Sequence, residues 1–187
     1  MAVIDAHQHF WQYDSVKHAW INDGMSVIQK SFLPNDLFPV LIQNKVDGCI
    51  AVQADQSLEE TDFLLQLANN NDFIKGVVGW VNLMDENLEI TLQHYLQNPL
   101  LKGFRHILQS EEPDFMLQPK FLNGINLLQK FGYTYDILIF PHQLKAAIQL
   151  VQQFPGVKFV IDHLAKPYIK KAEIESWNMD IVAISKF

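Results

Sequence analysis

The chain has 187 residues, of which 49% are hydrophobic and 19% are charged, and its formal net charge is −7 at pH 7. This composition is typical of a folded protein with a sizeable core, and it excludes a disordered or fibrous chain. Lysines cluster only at Lys166, Lys170 and Lys171, so we expect no nucleic-acid partner.

Six short apolar runs, often opened by glycine, have the pattern of parallel strands that are buried on both faces. We predict strands at Val3–Ala6, Gly48–Gln53, Gly76–Val81, Gly103–Ile107, Thr134–Ile139 and Val157–Asp162. The segments between them have helical spacing, and Ser57 has the position of an N-cap before one of them. The last predicted helix runs from about Ala172 to the C-terminus.

Residues 10–32, after the first predicted strand, show neither a strand pattern nor a clear helical one. The segment carries the aromatic residues Trp11, Tyr13, Trp20 and Phe32. A long loop at this place predicts a lid or a substrate wall. The alternative is a loop whose aromatic side chains anchor it to the surface.

Six successive strand–helix units without an antiparallel signal predict a parallel α/β architecture. A doubly wound sheet is one option, but no Gly-x-Gly-x-x-Gly follows any strand. A TIM-type (β/α)8 barrel is the other option, and it typically needs about 250 residues. The chain supplies six of the eight units that such a barrel would need.

Catalytic and ligand-binding residues of parallel α/β folds lie at the carboxyl ends of the strands. His7 and His9 are spaced i, i+2, so in an extended chain they point the same way and can hold a divalent metal or a polar substrate. The alternative is a pair of half-exposed histidines in a turn. Arg105 lies in an otherwise apolar strand, where it either pairs with a carboxylate of the fold or binds an anionic substrate or oxyanion.

Two further expectations concern residues near these strand ends. Asp162 precedes His163 directly, so by strand alternation we expect it to face away from the site and to play a supporting role. His18 and His94 are expected to be surface or loop residues.

At this point the motifs resemble those of the amidohydrolase-related family, and most of all its sugar lactonases of the fuconolactonase and rhamnonolactonase type. The resemblance covers almost the whole chain in order. The motifs are Ile4-Asp5-Ala6-His7-Gln8-His9-Phe10-Trp11, Val52-Gln53-Ala54, Val78-Gly79-Trp80-Val81, Lys102-Gly103-Phe104-Arg105-His106, Tyr135-Asp136-Ile137-Leu138-Ile139 and Val160-Ile161-Asp162-His163-Leu164-Ala165-Lys166-Pro167.

This resemblance implies a (β/α)8 barrel that hydrolyses a sugar lactone by adding water to the ring carbonyl. It implies His7, His9, Arg105 and His163 as catalytic residues, and a divalent metal, zinc first of all, held by His7, His9 and His163. Some members of the family work without a metal. The side chains expected to contact the substrate are Trp11, Gln53, Trp80, His106, Asp136 and Lys166.

Family members carry a catalytic aspartate at the end of an eighth strand, and residues 1–187 end before a seventh. We therefore expect a single, incomplete barrel domain over residues 1–187, with at most weak activity by itself and with sheet edges open to association. The alternatives are a decarboxylase of the same family and a non-catalytic remnant that binds neither metal nor lactone.

The expected compartment is the cytoplasm. The single cysteine, Cys49, excludes a disulfide within the chain, which suits a reducing environment. The N-terminus lacks the pattern of a secretory signal, and no apolar run approaches 18 residues. We expect a small-molecule substrate and no membrane partner.

Overall fold

The computed structural model describes residues 1–187, and its centre is one parallel sheet of six strands in the order β1-β2-β3-β4-β5-β6. Every neighbouring pair is parallel, so each connection crosses back over the sheet, and the sheet curls into part of a barrel. The strands are β1 (Ile4–Gln8), β2 (Gly48–Val52), β3 (Ile74–Gly79), β4 (Leu101–Ile107), β5 (Thr134–Leu138) and β6 (Phe159–Ile161).

Six α-helices of 8 to 13 residues follow the strands in strict alternation. They are α1 (Pro34–Gln43), α2 (Leu58–Asn70), α3 (Leu88–Tyr95), α4 (Pro119–Phe131), α5 (Leu144–Gln153) and α6 (Glu175–Ile184). None of them has the length and apolar character that crossing a membrane requires.

The predicted strands are all confirmed, with shifted ends. β1 extends to Gln8, so His7 lies inside the strand and His9 directly follows it. β6 is shorter than predicted and ends at Ile161, because the backbone turns left-handed from His163 onward. The last helix begins at Glu175 rather than near Ala172.

The segment 10–32 is more ordered than its sequence pattern indicates. It contains a short 3-10 helix at Asp23–Ile28, which the prediction missed. The two ends of the segment meet where Trp11 and Phe32 pair their backbones as an antiparallel bridge, with both N–O distances 3.0 Å. The segment is therefore a loop between β1 and α1 whose two ends are hydrogen-bonded to each other.

The core lies between the sheet and the surrounding helices and contains fully buried Phe104, Phe121 and Tyr135. β4 and β5 approach closely, because Gly103 lies against Thr134. A Cβ atom at position 103 would lie 2.5 Å from the Thr134 carbonyl oxygen. This close approach sets the register that places Arg105 of β4 beside Asp136 of β5.

Candidate active site

Three of the four residues predicted as catalytic meet by direct contact at the carboxyl ends of the strands, and the fourth lies beside them. Nε2 of His7 lies 3.2 Å from Nε2 of His9 and 3.2 Å from Nη1 of Arg105. The ring of His163 lies 4.7 Å from the ring of His7, centroid to centroid. The sheet thus brings residues from β1, β4 and the turn after β6 to one place.

His9 is a neutral imidazole of known tautomer. Its Nδ1 lies 2.8 Å from the Val52 carbonyl oxygen, which can only accept, so Nδ1 carries the proton. Burial lowers the pKa of His9 to about 4, against the opposing effect of the Val52 hydrogen bond. At neutral pH the Nε2 atom of His9 therefore carries no proton, and its lone pair points toward His7.

The His7 and His9 pair fits a divalent metal ion. The Arg105 guanidinium can only donate, so Nε2 of His7, which faces it, is an acceptor. The unprotonated Nε2 atoms of His7 and His9 therefore lie 3.2 Å apart with their lone pairs facing each other. Two nitrogen ligands of one tetrahedral zinc ion lie roughly 3.3 Å apart. His7, Asp162 and His163 also offer ligand atoms that all lie within 4.8 Å of one another.

Arg105 is the most firmly held side chain of the site, with only 4% of its surface exposed. Nη1 donates to Oδ2 of Asp162 at 2.8 Å, and Nη2 donates to the backbone and side-chain oxygens of Gln53. Gln53 is fully buried and also donates to the Arg105 carbonyl oxygen. Of the two interpretations of Arg105, the structure shows the pairing with a carboxylate of the fold, and it places Gln53 behind the guanidinium.

The prediction that Asp162 faces away is wrong. Asp162 is buried, forms an ion pair with Arg105 and lies 3.5 Å from Nδ1 of His7. Burial by itself would raise the pKa of this carboxyl, but the hydrogen bonds from His7 and Arg105 outweigh it and hold the pKa below its usual value.

A left-handed turn is the physical reason for that error. His163, Leu164, Ala165 and Lys166 have φ values of 51°, 52°, 56° and 51°. Strand alternation holds only while the backbone is extended, and here it ends before His163. Asp162 and His163 can therefore both reach the site although they are adjacent in sequence. Positive φ at consecutive non-glycine residues raises the free energy of the folded state, and such strain is typical of functional sites.

Asp136 is a second buried carboxyl near Arg105. Burial and the neighbouring Asp162 carboxylate raise the pKa of Asp136 to about 7, although Arg105 opposes the shift. Its Oδ1 atom is buried without a hydrogen-bond partner. The strand register places Asp136 beside Arg105.

Trp80, His106 and Lys166 form no direct contact with the two N-terminal histidines. Nε1 of Trp80 donates to Nδ1 of His106 at 3.4 Å, and Nε2 of His106 lies 3.7 Å from Glu111. Lys166 is exposed, donates to Oε1 of Gln109 and lies over the ring of Phe140. These side chains mark a second part of the same strand-end face.

A cavity of about 310 Å³ adjoins the site, and residues of both the sheet and the segment 10–32 line it. His9 and Arg105 lie at one end, and Trp11 also lines the cavity. His18 also lines it: of the expected surface or loop position, the structure shows the loop, with only 8% of the residue exposed. Local hydrogen bonds from Asp14 hold the turn that carries His18, but the cavity in which it lies is also lined by Ala54 and Arg105, which are distant in sequence.

Comparison with known proteins identifies the family. Residues 4–185 match the family described as amidohydrolase. The chain belongs to this amidohydrolase family. It is 32% identical over 177 residues to an L-fucono-1,5-lactonase of Burkholderia ambifaria and 37% identical over 166 residues to that of Burkholderia multivorans.

A crystal structure of an amidohydrolase from Burkholderia multivorans, with bound zinc, superimposes on this amidohydrolase chain with a TM-score of 0.95 and 33% identity. The match covers all of this chain and 66% of that one. The prediction of a partial (β/α)8-type barrel is thereby confirmed. The two curated lactonases are matched over 61% and 56% of their lengths, so the chain spans less than two thirds of these relatives.

Proposed function

We propose that this amidohydrolase chain carries most of the active site of a sugar lactone hydrolase. The observation that carries the proposal is the convergence of His7, His9, Arg105 and His163 at one end of the sheet. Two relatives named L-fucono-1,5-lactonase, at 32% and 37% identity, favour an aldonolactone as the substrate. L-Fucono-1,5-lactone is the first substrate to test.

The reaction is a hydrolysis in which the oxygen of water bonds to the ring carbonyl carbon. The bond between that carbon and the ring oxygen then breaks, and the ring oxygen leaves with a proton as a hydroxyl. The products are an aldonate and one released proton. We assign Arg105, fixed by Asp162 and Gln53, to the oxygen that becomes negative during the addition.

We further propose that His7, His9 and His163 hold a divalent metal, with zinc as the first choice. When bound, such an ion supplies a Lewis acid for the carbonyl or lowers the pKa of the attacking water. The Val52 carbonyl keeps the His9 tautomer fixed by accepting its Nδ1 proton, as outer-shell partners of metal-binding histidines do.

The remaining substrate assignments are also proposals. Trp11 and Trp80 would flank a sugar-like ring, while His106, Asp136 and Lys166 would supply polar groups at the same strand-end face. We infer that residues 1–187 form a single, incomplete barrel domain, act on a small molecule in the cytoplasm and associate through their open sheet edges.

A lactone panel tests the proposed function by following proton release with a pH indicator. We expect residues 1–187 to hydrolyse aldonolactones measurably but at least about 100-fold more slowly than the Burkholderia lactonases. No carboxylate is assigned as the base for the water, because Asp162 is paired with Arg105 and Asp136 is assigned to substrate binding, and a general base contributes roughly 100-fold or more. The substitution Arg105→Met should abolish this residual turnover, whereas Val16→Ala, at an exposed loop position, should not change it.

Three other outcomes would contradict the proposal in different ways. Turnover equal to that of the relatives would remove the need for a further base. Release of carbon dioxide from aromatic acids without lactone turnover would identify a decarboxylase. A chain that binds neither zinc nor L-fuconate in isothermal titration would be a non-catalytic remnant.

A further inference from the structure

The segment 11–32 makes few contacts with the rest of the chain. Its two ends meet in the Trp11–Phe32 backbone bridge, which forms a narrow neck directly after the buried Phe10. Every hydrogen bond of residues 11–32 joins two residues of the segment itself. No side chain of the segment belongs to the main hydrophobic core or packs against it, and the buried Ile21 lies outside that core. Residues 11–32 therefore form a folded unit that is attached at its neck.

Two cavities lie between this segment and the rest of the protein. The cavity of about 310 Å³ beside the site has Trp20 and Ile28 on the side of the segment, and Ala54 and Arg105 on the other side. A second cavity, of about 390 Å³, lies between the segment and α2, where Phe63 lines it. A segment that borders open space on two sides and adds no side chain to the main core opens at a low cost in free energy.

One ion pair joins the segment to the rest of the protein. Nζ of Lys17 lies 2.8 Å from Oδ2 of Asp55, which follows β2, and the two side chains are 45% and 38% exposed. Asp55 is itself held in place, because the Ser57 hydroxyl donates to the same Oδ2 atom at 3.0 Å. An exposed ion pair of this kind shifts an equilibrium by only about two- to fivefold, so it can hold the segment in place and still break readily.

We propose that residues 11–32 form a lid that turns about its neck, with the Lys17–Asp55 ion pair as the latch that keeps it closed. The lid moves as one unit, because its internal hydrogen bonds stay intact when the latch breaks. Opening exposes His9 and Arg105, which lie across the cavity, to a substrate, and closing separates that substrate from bulk water. The use of the lid for a lactone rests on the proposed function, whereas its movement does not.

NMR relaxation dispersion of the chain, labelled at tryptophan and methionine, measures this movement. Trp20 and Met25 report on the lid, whereas Trp177 and Met116 lie in the rest of the chain and serve as internal references. We expect Trp20 and Met25 to share one exchange rate and one open population, and the two references to show no exchange. Lys17→Ala should raise the ratio of open to closed lid by about two- to fivefold.

Further measurements separate the latch from a general effect of removing a lysine. Lys30→Ala is the matched control, since Lys30 belongs to the same segment but forms no ion pair, and it should keep the wild-type ratio. Lys17→Arg preserves the charge opposite Asp55 and should also keep that ratio. Salt at about 1 M screens the ion pair, so it should raise the ratio in the wild type but not in Lys17→Ala.

The outcomes distinguish this inference from the proposed function, because relaxation dispersion requires no turnover. Flat profiles for Trp20 and Met25 in both the wild type and Lys17→Ala would overturn the lid, even if the chain hydrolyses lactones. Different exchange rates at Trp20 and Met25 would contradict movement as one unit, and an equal change in Lys30→Ala would contradict the latch. A moving, latched lid in a chain without lactone turnover would support the inference and contradict the proposed function.

Discussion

At the scale of single residues, the site is a set of buried charges and lone pairs that share partners. Arg105 contacts Asp162 and His7 at the same time through Nη1. A guanidinium so placed stabilises the Asp162 carboxylate but also lies beside a nitrogen that a metal ion would use. The same residue therefore sets both the charge of the site and its affinity for a cation.

Replacing Arg105 with Gln should strengthen zinc binding. The change removes a positive charge 3.2 Å from Nε2 of His7 and frees Asp162 as a ligand. We expect the Kd for zinc, measured by isothermal titration, to fall by about tenfold, which corresponds to about 1.4 kcal/mol. Lys145→Gln removes the same charge from an exposed side chain of α5 and should leave the Kd unchanged. An unchanged Kd in Arg105→Gln would show that the guanidinium does not compete with the metal.

The raised pKa of Asp136 predicts how the stability depends on pH. The folded-state pKa of about 7 exceeds the usual value of 3.8, so the folded protein holds this proton more tightly than the unfolded chain. The stabilisation is complete below about pH 4 and is lost as the pH rises through 7. Asp136→Asn cannot ionise, so relative to wild type its free energy of unfolding should improve by roughly 3 kcal/mol between pH 4.5 and pH 8.

Urea unfolding at the two pH values measures this difference. Asp114→Asn, which removes an exposed carboxylate, is the control and should follow the wild type at both pH values. If the Asp136→Asn variant also followed the wild type, then Asp136 would titrate as an ordinary carboxyl and would not be a neutral acid near pH 7.

At the scale of elements, the turn after β6 has the most unusual backbone dihedral angles of the chain. Four consecutive residues without glycine hold φ near +50°. Trp177 of α6 fixes the turn by donating to the Leu164 carbonyl oxygen at 2.7 Å. The strain is thus maintained by a helix that packs over the turn, and it orients His163 toward His7.

The substitution Leu164→Gly tests this strain. Glycine tolerates positive φ, so relief of roughly 1 kcal/mol should offset the entropy that glycine loses on folding. We expect the free energy of unfolding to stay unchanged or to rise by up to about 1 kcal/mol. Met179→Gly is the matched control, because Met179 is similarly exposed but lies in the interior of α6, and it should lose about 1 kcal/mol. Equal losses in both variants would contradict a strained turn.

At the scale of the whole molecule, the six strands form an open sheet with two free edges. β1 pairs only with β2, and β6 pairs only with β5. Val160 at the β6 edge is 48% exposed, and Ile4 of β1 is also exposed. Free edges with apolar side chains offer unpaired backbone groups to another strand.

We therefore expect residues 1–187 to associate as their concentration rises, and sedimentation equilibrium measures this. Val160→Lys places a charge on the edge strand and should weaken the association by about tenfold or more. Val182→Lys adds the same charge at a comparably exposed position on α6 and is the control. A chain that remains monomeric throughout, or an equal effect of both substitutions, would contradict association through the edge.

The sequence by itself determined the six strands, their alternation with helices and the parallel class, because apolar periodicity and capping residues are local signals. His7, His9 and Arg105 could be assigned to strand ends for the same reason. Tertiary structure alone decided that Asp162 turns inward to Arg105, 57 residues away in sequence, and that His18 is buried at the cavity. Those outcomes depend on a left-handed turn and on contacts between segments distant in sequence, and neither produces a periodic pattern of residues in the amino-acid sequence.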